Sequence, residues 1–138
     1  MTTDVTPHLN LRGDARAALE HYRTAFGGEL VAVTYAQMGG PHDPAQADLI
    51  VWGEVRASDG FRVMAYDVQT EKRWDQGENA YYVSVRTTDP QRLEAAFPVL
   101  ADGGEVQVPL GPSQWSGLYG MVRDRFGVVW VLDVAPAA

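Results

Sequence analysis

The chain has 138 residues, of which 46% are hydrophobic, and its 18 acidic and 11 basic side chains give a formal net charge of −7. This length fits one domain with a substantial core, while the negative charge disfavours nucleic acids and anionic membranes, whose phosphates require clustered cations. The sequence contains no cysteine, which excludes disulfides, thiolate metal sites and cysteine nucleophiles. It also shows no signal peptide and no apolar run of about 20 residues, so we expect a cytoplasmic protein.

In chain order, the first half predicts a strand, a helix and three further strands. The helix pattern begins after Asp14, whose carboxylate is expected to cap its first turn, and stops at Gly27-Gly28. A polar linker, 70–79, closes this half. Strand patterns lie on both sides of the helix, at 5–11, 30–36, 48–57 and 62–68.

The second half repeats this order at an offset of about 75 residues, which is typical of a duplicated module rather than a solenoid. Its helix follows Asp89, stops at Gly103-Gly104 and contains Pro98, which is expected to kink or shorten it. The fold class is therefore predicted as α+β. The boundaries are one domain over 1–138, with β-α-β-β-β modules at about 4–69 and 79–135 and second-half strands at 80–87, 105–110, 118–124 and 128–134.

Strand alternation assigns the side chains to two faces. One face is apolar, as expected where a helix covers a sheet, and Tyr81 falls on it. The other face mixes aromatic and polar groups, which suits a small-molecule pocket but also fits a face that meets water. This mixed face includes Ile50, Trp52, Glu54 and Tyr82.

Three segments, TPHLNLRGDARAALEHYRTAFGGEL, GGEVQVPL and WSGLYGMVRDRFGVVWVL, together resemble the vicinal oxygen chelate superfamily. This superfamily includes glyoxalases, bleomycin-resistance proteins and extradiol dioxygenases, and within it the chain is similar to the PhnB-like branch. The resemblance implies paired modules that form a half-open barrel or cleft. It also implies a homodimer whose subunits complete each other's sites.

Metal-using members of the superfamily bind a divalent ion through His and Glu side chains drawn from both modules. Carried over to this sequence, the ligand positions fall at or next to His8 and on Glu54, Ala80 and Val131. Alanine and valine offer no ligand atoms. The resemblance therefore implies no complete metal site, and we predict no metal and no other cofactor.

The segment 124–133 occupies the place of the last metal-binding strand without its carboxylate. We therefore expect its turn to be structural and Trp130 and Leu132 to lie in the core. Asp133 is two residues beyond Val131, about 6.6 Å along a strand, so it replaces a ligand only after a register shift.

No catalytic residue is identified, but Glu54 and His8 are the candidates. If burial raised the pKa of Glu54, this residue could act as a general base. The alternative is that Glu54 forms an ion pair with Arg56 or Arg86. His8 either lines the pocket or is a hydrogen-bonded surface residue.

Aromatic residues near the second-module strands complete the predicted pocket. Trp115 and Tyr119 either cap it or pack against a partner subunit. His42, in the loop 39–46, is either part of a lid or a surface residue, and His21 is expected to be partly buried. The full predicted ligand pocket consists of His8, Trp52, Glu54, Tyr82, Trp115 and Tyr119.

The leading functional hypothesis is a small-molecule-binding protein of the PhnB type that lacks a complete metal site. Lyase or isomerase activity is one version of this hypothesis. One alternative is a non-catalytic protein that sequesters a ligand, as bleomycin-resistance relatives do. Its acidic surface would favour binding of a cationic ligand. Another is a metal-dependent lyase or dioxygenase with shifted ligands. Whether the protein is an enzyme stays open, and its expected partners are a small molecule and a second copy of the chain.

Overall fold

Two open four-stranded sheets organise residues 2–136, which the computed structural model describes. The chain divides into two units. The first contains the chain up to Arg23 together with Gly27–Gln76, and the second contains Thr24–Phe26 and the chain from Gly77 onwards. The α+β fold with two β-α-β-β-β modules is confirmed. Within the described residues, no helix combines the length and apolar character needed to cross a membrane.

The elements of the first module follow the predicted order of strand, helix and three strands, with a short helix and a 3-10 turn added between its second and third strands. They are β1 (His8–Leu11), α1 (Ala15–Phe26), β2 (Glu29–Thr34), α2 (Tyr35–Met38), a 3-10 turn (Pro44–Gln46), β3 (Ile50–Arg56) and β4 (Arg62–Asp67). The sheet order is β1-β4-β3-β2, in which only the β1–β4 pair is parallel. Helix α1 packs closely on β3, because a Cβ added at Gly53 would lie 2.4 Å from the Leu19 side chain.

The start of α1 differs from the sequence prediction. The Asp14 side chain makes no capping hydrogen bond. Instead, the backbone N–H groups of Gly13 and Ala15 donate to Oδ1 of Asp67, at 2.7 and 3.1 Å. Asp67 is buried at the end of β4 and accepts a further bond from the Ile50 N–H, so one carboxylate satisfies backbone donors at the start of α1 and at the start of β3.

The second unit repeats the architecture, with α3 (Pro90–Ala101) against its sheet. Asp89 caps this helix as predicted, since its carboxylate accepts the Gln91 N–H at 3.0 Å. Pro98 does not shorten the helix, which continues to Ala101. The strands are β5 (Val83–Thr87), β6 (Glu105–Gly111), β7 (Tyr119–Arg123) and β8 (Val129–Val134), in the order β5-β8-β7-β6.

The turn from β7 into β8 is structural, as the sequence predicts. The buried carboxylate of Asp124 accepts the N–H groups of Phe126 and Val128 through Oδ1, at 2.8 and 3.1 Å. Its Oδ2 accepts the indole N–H of Trp130 at 2.9 Å. Trp130 and Leu132 are fully buried, which confirms them as core residues.

Three local predictions are wrong. Ile50 is buried in the core rather than on the mixed face, because a register shift opposite Val33 and Thr34 changes the alternation of β3. Tyr81 is 92% exposed because β5 begins only at Val83. The second strand pattern, 30–36, ends at Thr34, whose hydroxyl and the Gln37 side chain form a capping box that starts α2.

Candidate functional site

One face of the first sheet is left uncovered by α1 and carries three of the six predicted pocket residues, His8, Trp52 and Glu54. Paired residues of neighbouring strands share a face, and Met64 pairs with His8 on one side and with Glu54 on the other. His8 and Glu54 therefore lie on the same face, with β4 running between their two strands. We call this the open face of the first sheet, defined by His8, Asn10, Trp52, Glu54, Arg62, Met64 and Tyr66.

Glu54 is buried on this open face and is paired with two arginines. Its Oε1 lies 3.3 Å from Nη2 of Arg56, and its Oε2 lies 3.0 Å from Nε of Arg62. Arg62 also contacts the Asp4 carboxylate at 2.6 Å. The pairing of Glu54 with Arg56 is therefore confirmed, and that with Arg86 is wrong because Arg86 binds Asp133. Both oxygens of Glu54 are engaged by guanidinium groups.

His8 lies near the edge of the same face, exposed to solvent. Its Nδ1 lies 2.8 Å from Oδ1 of Asn10, a contact in which the ring nitrogen donates to the amide oxygen. The ring also packs edge-on against Tyr66, with centroids 5.3 Å apart. These two contacts hold the ring in place beside an aromatic neighbour.

Trp52 and Tyr66 give the open face its aromatic character. Gly53 pairs with Ala65, so Trp52 and Tyr66 occupy the adjoining positions on neighbouring strands and share the face of Glu54. Both are only partly buried. The face therefore offers two aromatic rings, an imidazole and a neutralised carboxylate to a molecule that lies on it.

The second sheet also has a face that α3 does not cover. Asp133 pairs with Arg86 on one side and with Tyr119 on the other, so the three side chains form one row. Asp133 is buried, and Nε and Nη2 of Arg86 both donate to it, with the shortest contact at 2.8 Å. The hydrogen bond to Asp133 raises the pKa of Arg86 above its ordinary value. We call this the open face of the second sheet, defined by Ser84, Arg86, Tyr119, Met121, Val131 and Asp133.

Trp115 stands beside this row, with 66% of its surface exposed. Its ring lies edge-to-face with that of Tyr119, at a centroid distance of 5.1 Å. The loop that carries it is firmly held, because the hydroxyl of the neighbouring Ser116 donates to the carbonyls of Leu118 and Val134, at 2.7 and 2.9 Å. Trp115 and Tyr119 are thus brought together as the sequence suggests.

The remaining candidates lie apart from these groups. Tyr82 precedes β5 rather than lying within it, is 45% exposed and donates its hydroxyl to Oδ1 of Asn79. His42 is exposed, with its Nδ1 3.0 Å from the Gly40 carbonyl. His21 is partly buried, as predicted.

The donor set does not fit a divalent ion. Glu54 has both oxygens on guanidinium groups, and His8 is separated from it by a whole strand. The matching second-module positions, Ala80 and Val131, carry no donor atoms. Within residues 2–136, no group of three His, Cys, Asp or Glu side chains is arranged to hold a metal ion. A tight site needs three or more such ligands in fixed geometry, so we derive no chemistry through a metal.

Sequence reasoning missed several residues of these faces. The alternation in RVMAYD places Arg62, Met64 and Tyr66 on one face of β4. Once the strand order is known, this alternation predicts that they share a face with Glu54. The pairing of Arg86 with Asp133 depends on the parallel contact of β5 with β8. No local sequence pattern predicts this pairing.

Comparison with known proteins supports the same architecture. The chain is 23% identical to Protein YjdN of Escherichia coli (strain K12) over 138 residues, 94% of each chain. It superposes on the crystal structure of protein PA1353 from Pseudomonas aeruginosa with a TM-score of 0.83 and 29% identity, covering 96% of this chain and 98% of that one.

A second solved structure shares the fold. This is the putative 3-demethylubiquinone-9 3-methyltransferase, PhnB protein, from Bacillus cereus, with a TM-score of 0.76 and 23% identity, covering 96% of this chain and all of that one (100%). The family model of the Glyoxalase/Bleomycin resistance protein/Dioxygenase superfamily matches residues 7–132, almost the whole chain. The resemblance to the vicinal oxygen chelate superfamily is thereby confirmed, and the chain belongs to the Glyoxalase/Bleomycin resistance protein/Dioxygenase superfamily.

Proposed function

We propose that the protein binds a small organic molecule on the open face of the first sheet and does so without a divalent metal ion. The observation that carries this proposal is the state of Glu54, whose two oxygens are held by Arg56 and Arg62. A carboxylate committed in this way organises the surface around it instead of binding a cation.

The neighbouring groups are those of a recognition surface. Trp52 and Tyr66 offer partly exposed rings on which a planar molecule can stack, and aromatic contacts of this kind supply binding energy at little entropic cost. His8 adds a second ring nitrogen, Nε2, on an imidazole that Asn10 holds through Nδ1. Stacking area with a few fixed polar groups is the usual composition of a small-molecule site.

Binding without catalysis has more support than a lyase or isomerase activity. A general base needs a free lone pair within reach of the proton that it removes. Both oxygens of Glu54 already contact guanidinium groups, and Arg62, whose side chain is 19% exposed, bridges Glu54 and Asp4, so the carboxylate has little freedom to turn toward a substrate proton. His8 remains the one candidate base on this face with a free ring nitrogen.

A ligand screen by thermal shift tests the proposal. Aromatic compounds are added in the presence of EDTA and, in parallel, with Mn²⁺ or Zn²⁺, because a ligand of the native state raises the melting temperature. We expect compounds that stabilise the protein equally under both conditions. Trp52→Ala should weaken their binding about tenfold, as for a buried aromatic contact residue.

Tyr81→Ala is the matched control, since Tyr81 is 92% exposed and lies in the second unit. Its binding should equal that of the wild type. Stabilisation that requires the divalent ion would overturn the proposal in favour of a metal-dependent enzyme. If Trp52→Ala bound these compounds as tightly as the wild type, the ligand would not bind on this face.

A further inference from the structure

The open face of the second sheet carries an arginine whose orientation is fixed and whose outer edge is unused. Arg86 donates to Asp133 through Nε and Nη2, which form one side of the guanidinium plane. A guanidinium has five N–H donors, so the edge formed by Nη1 and the second N–H of Nη2 is left over. The Arg86 side chain is 63% exposed, and within the described residues its hydrogen bonds all go to Asp133.

Asp133 acts as a support for this arginine. Only 8% of its side chain is exposed, so its charge is costly unless Arg86 stays in place. The pair therefore restrains a side chain that would otherwise sample many rotamers. A pre-oriented guanidinium fork matches the two oxygens of a carboxylate, and restraint in advance lowers the entropic cost of binding.

Apolar and aromatic groups surround this fork. Val131 and Met121 pair with each other across β8 and β7, two residues from Asp133 and Tyr119 on the same face. Both are partly exposed and neither has a polar atom to satisfy. Tyr119 lies next to Asp133 in the row, and Trp115 packs edge-to-face against it. The surface beside the fork is thus suited to a flat hydrocarbon.

A second guanidinium lies on the same face. Arg123 follows Met121 by two residues on β7, and its Nε is buried without a hydrogen-bond partner among the described residues. An unsatisfied buried donor is unfavourable, and an added acceptor relieves it. This face therefore has one donor edge unused and one donor unsatisfied, while its carboxylate, Asp133, is already paired.

We propose that this face is a binding site for a small aromatic carboxylate. The carboxylate binds the free edge of Arg86, and the ring lies over Val131 and Met121 against Tyr119 and Trp115. The proposal goes beyond the function assigned to the first sheet, because it concerns residues of the second unit and specifies an anionic ligand.

The test uses 2-naphthoate as probe, with 2-naphthamide as its neutral counterpart and 2-naphthylmethylammonium as its cationic one. Affinities are measured by isothermal titration calorimetry at low salt. We expect the naphthoate to bind about fivefold more tightly than the amide, as for one partly exposed ionic contact, and the ammonium to bind least. Equal binding of the three probes, tighter binding of the ammonium, or no binding of naphthoate would overturn the proposal.

Two variants locate the contact. Arg86→Lys keeps the charge and an ion pair with Asp133 but lacks the planar fork, so it should fold normally and lose the preference for naphthoate over the amide. Trp115→Ala should weaken the binding of naphthoate and of the amide by the same factor, because the substitution removes only contacts with the naphthalene ring. Arg16→Lys, at an exposed position of α1, is the control and should bind all three probes as the wild type does. A preference for naphthoate that survives in Arg86→Lys would contradict the proposal.

The outcome is independent of the function proposed for the first sheet. Trp52→Ala should leave naphthoate binding unchanged. If Trp52→Ala abolishes naphthoate binding while Arg86→Lys does not, the anion binds the first sheet and the proposed second site is wrong.

Discussion

Oε2 of Glu54 lies 3.0 Å from Nε of Arg62, on the neighbouring strand of the first sheet. The glutamate is almost fully buried, and the arginine is itself held by Asp4 on its other side. This contact turns a position that resembles a metal ligand into part of an ion-pair network. It is the reason for assigning the open face of the first sheet to ligand recognition.

Replacing Glu54 by glutamine should destabilise the protein by about 1–3 kcal/mol, because Arg62 loses one of its two anionic partners, and the one that is buried. Urea unfolding followed by tryptophan fluorescence measures the change. Glu94→Gln, an exposed position on α3, is the control and should alter stability by less than about 0.5 kcal/mol. An unchanged midpoint for Glu54→Gln would mean that the ion pairs contribute nothing and that Glu54 is available for another role.

Two turn aspartates should differ in importance. Asp124→Ala removes an acceptor of three N–H groups, one of them the indole of Trp130, and should cost about 2–4 kcal/mol. Asp59→Ala, in the corresponding turn of the first unit, affects an exposed side chain that accepts the Phe61 N–H, and should cost about 1 kcal/mol or less. Equal losses of unfolding free energy for Asp124→Ala and Asp59→Ala in urea would show that the buried carboxylate of Asp124 contributes no more than an exposed one.

Tyr35 should make stability depend on alkaline pH. Its hydroxyl donates to the Asp67 carbonyl at 2.6 Å, and burial raises its pKa above 10.0, with smaller effects of nearby Tyr66, Asp67 and Glu71. The folded state therefore keeps the proton to higher pH than the unfolded chain does. The contribution of Tyr35 to stability is complete below pH 10.0 and is lost as pH rises through the raised pKa of the folded state.

Comparison of wild type with Tyr35→Phe isolates this contribution, since all other tyrosines are common to both proteins. At pH 8 the wild type should be more stable by about 1 kcal/mol, the value of one hydrogen bond. The difference, measured by urea unfolding, should shrink above pH 10.0. A difference that grows with pH would contradict the assignment.

We also expect the protein to form a homodimer. Each sheet ends in edge strands, and natural proteins cover or pair such edges. Light scattering after size exclusion should give about twice the chain mass of 15.1 kDa at micromolar concentration. A mass of one chain at the highest attainable concentration would rule out the dimer.

The predictable part of the fold is the part that rests on local patterns. Internal repetition, helix periodicity and the cap at Asp89 predicted both modules, and the apolar run around Trp130 predicted a core strand. The Thr34 and Gln37 spacing of the capping box is present in the sequence, but the apolar alternation around it favours a continuing strand. A register shift moved Ile50 into the core, and no periodicity argument allows for such a shift.

The candidate site was less predictable because its contacts join distant segments. Asp67 replaces Asp14 as the cap of α1 from more than 50 residues away, and Arg86 meets Asp133 at a separation of 47. Alternation alone identified Glu54 as a residue of the mixed face. It did not show that Arg62, on another strand, would occupy one of its oxygens.

Elemental analysis of the purified and dialysed protein tests the central claim most directly. With Glu54 bound to Arg56 and Arg62, and with Ala80 and Val131 at the other ligand positions, the account predicts well below one equivalent of Mn, Fe, Ni or Zn per chain. Addition of these ions should likewise give no binding heat in calorimetry. One tightly held divalent ion per chain would contradict the account, because it would require Glu54 to leave both arginines and other residues to complete the site.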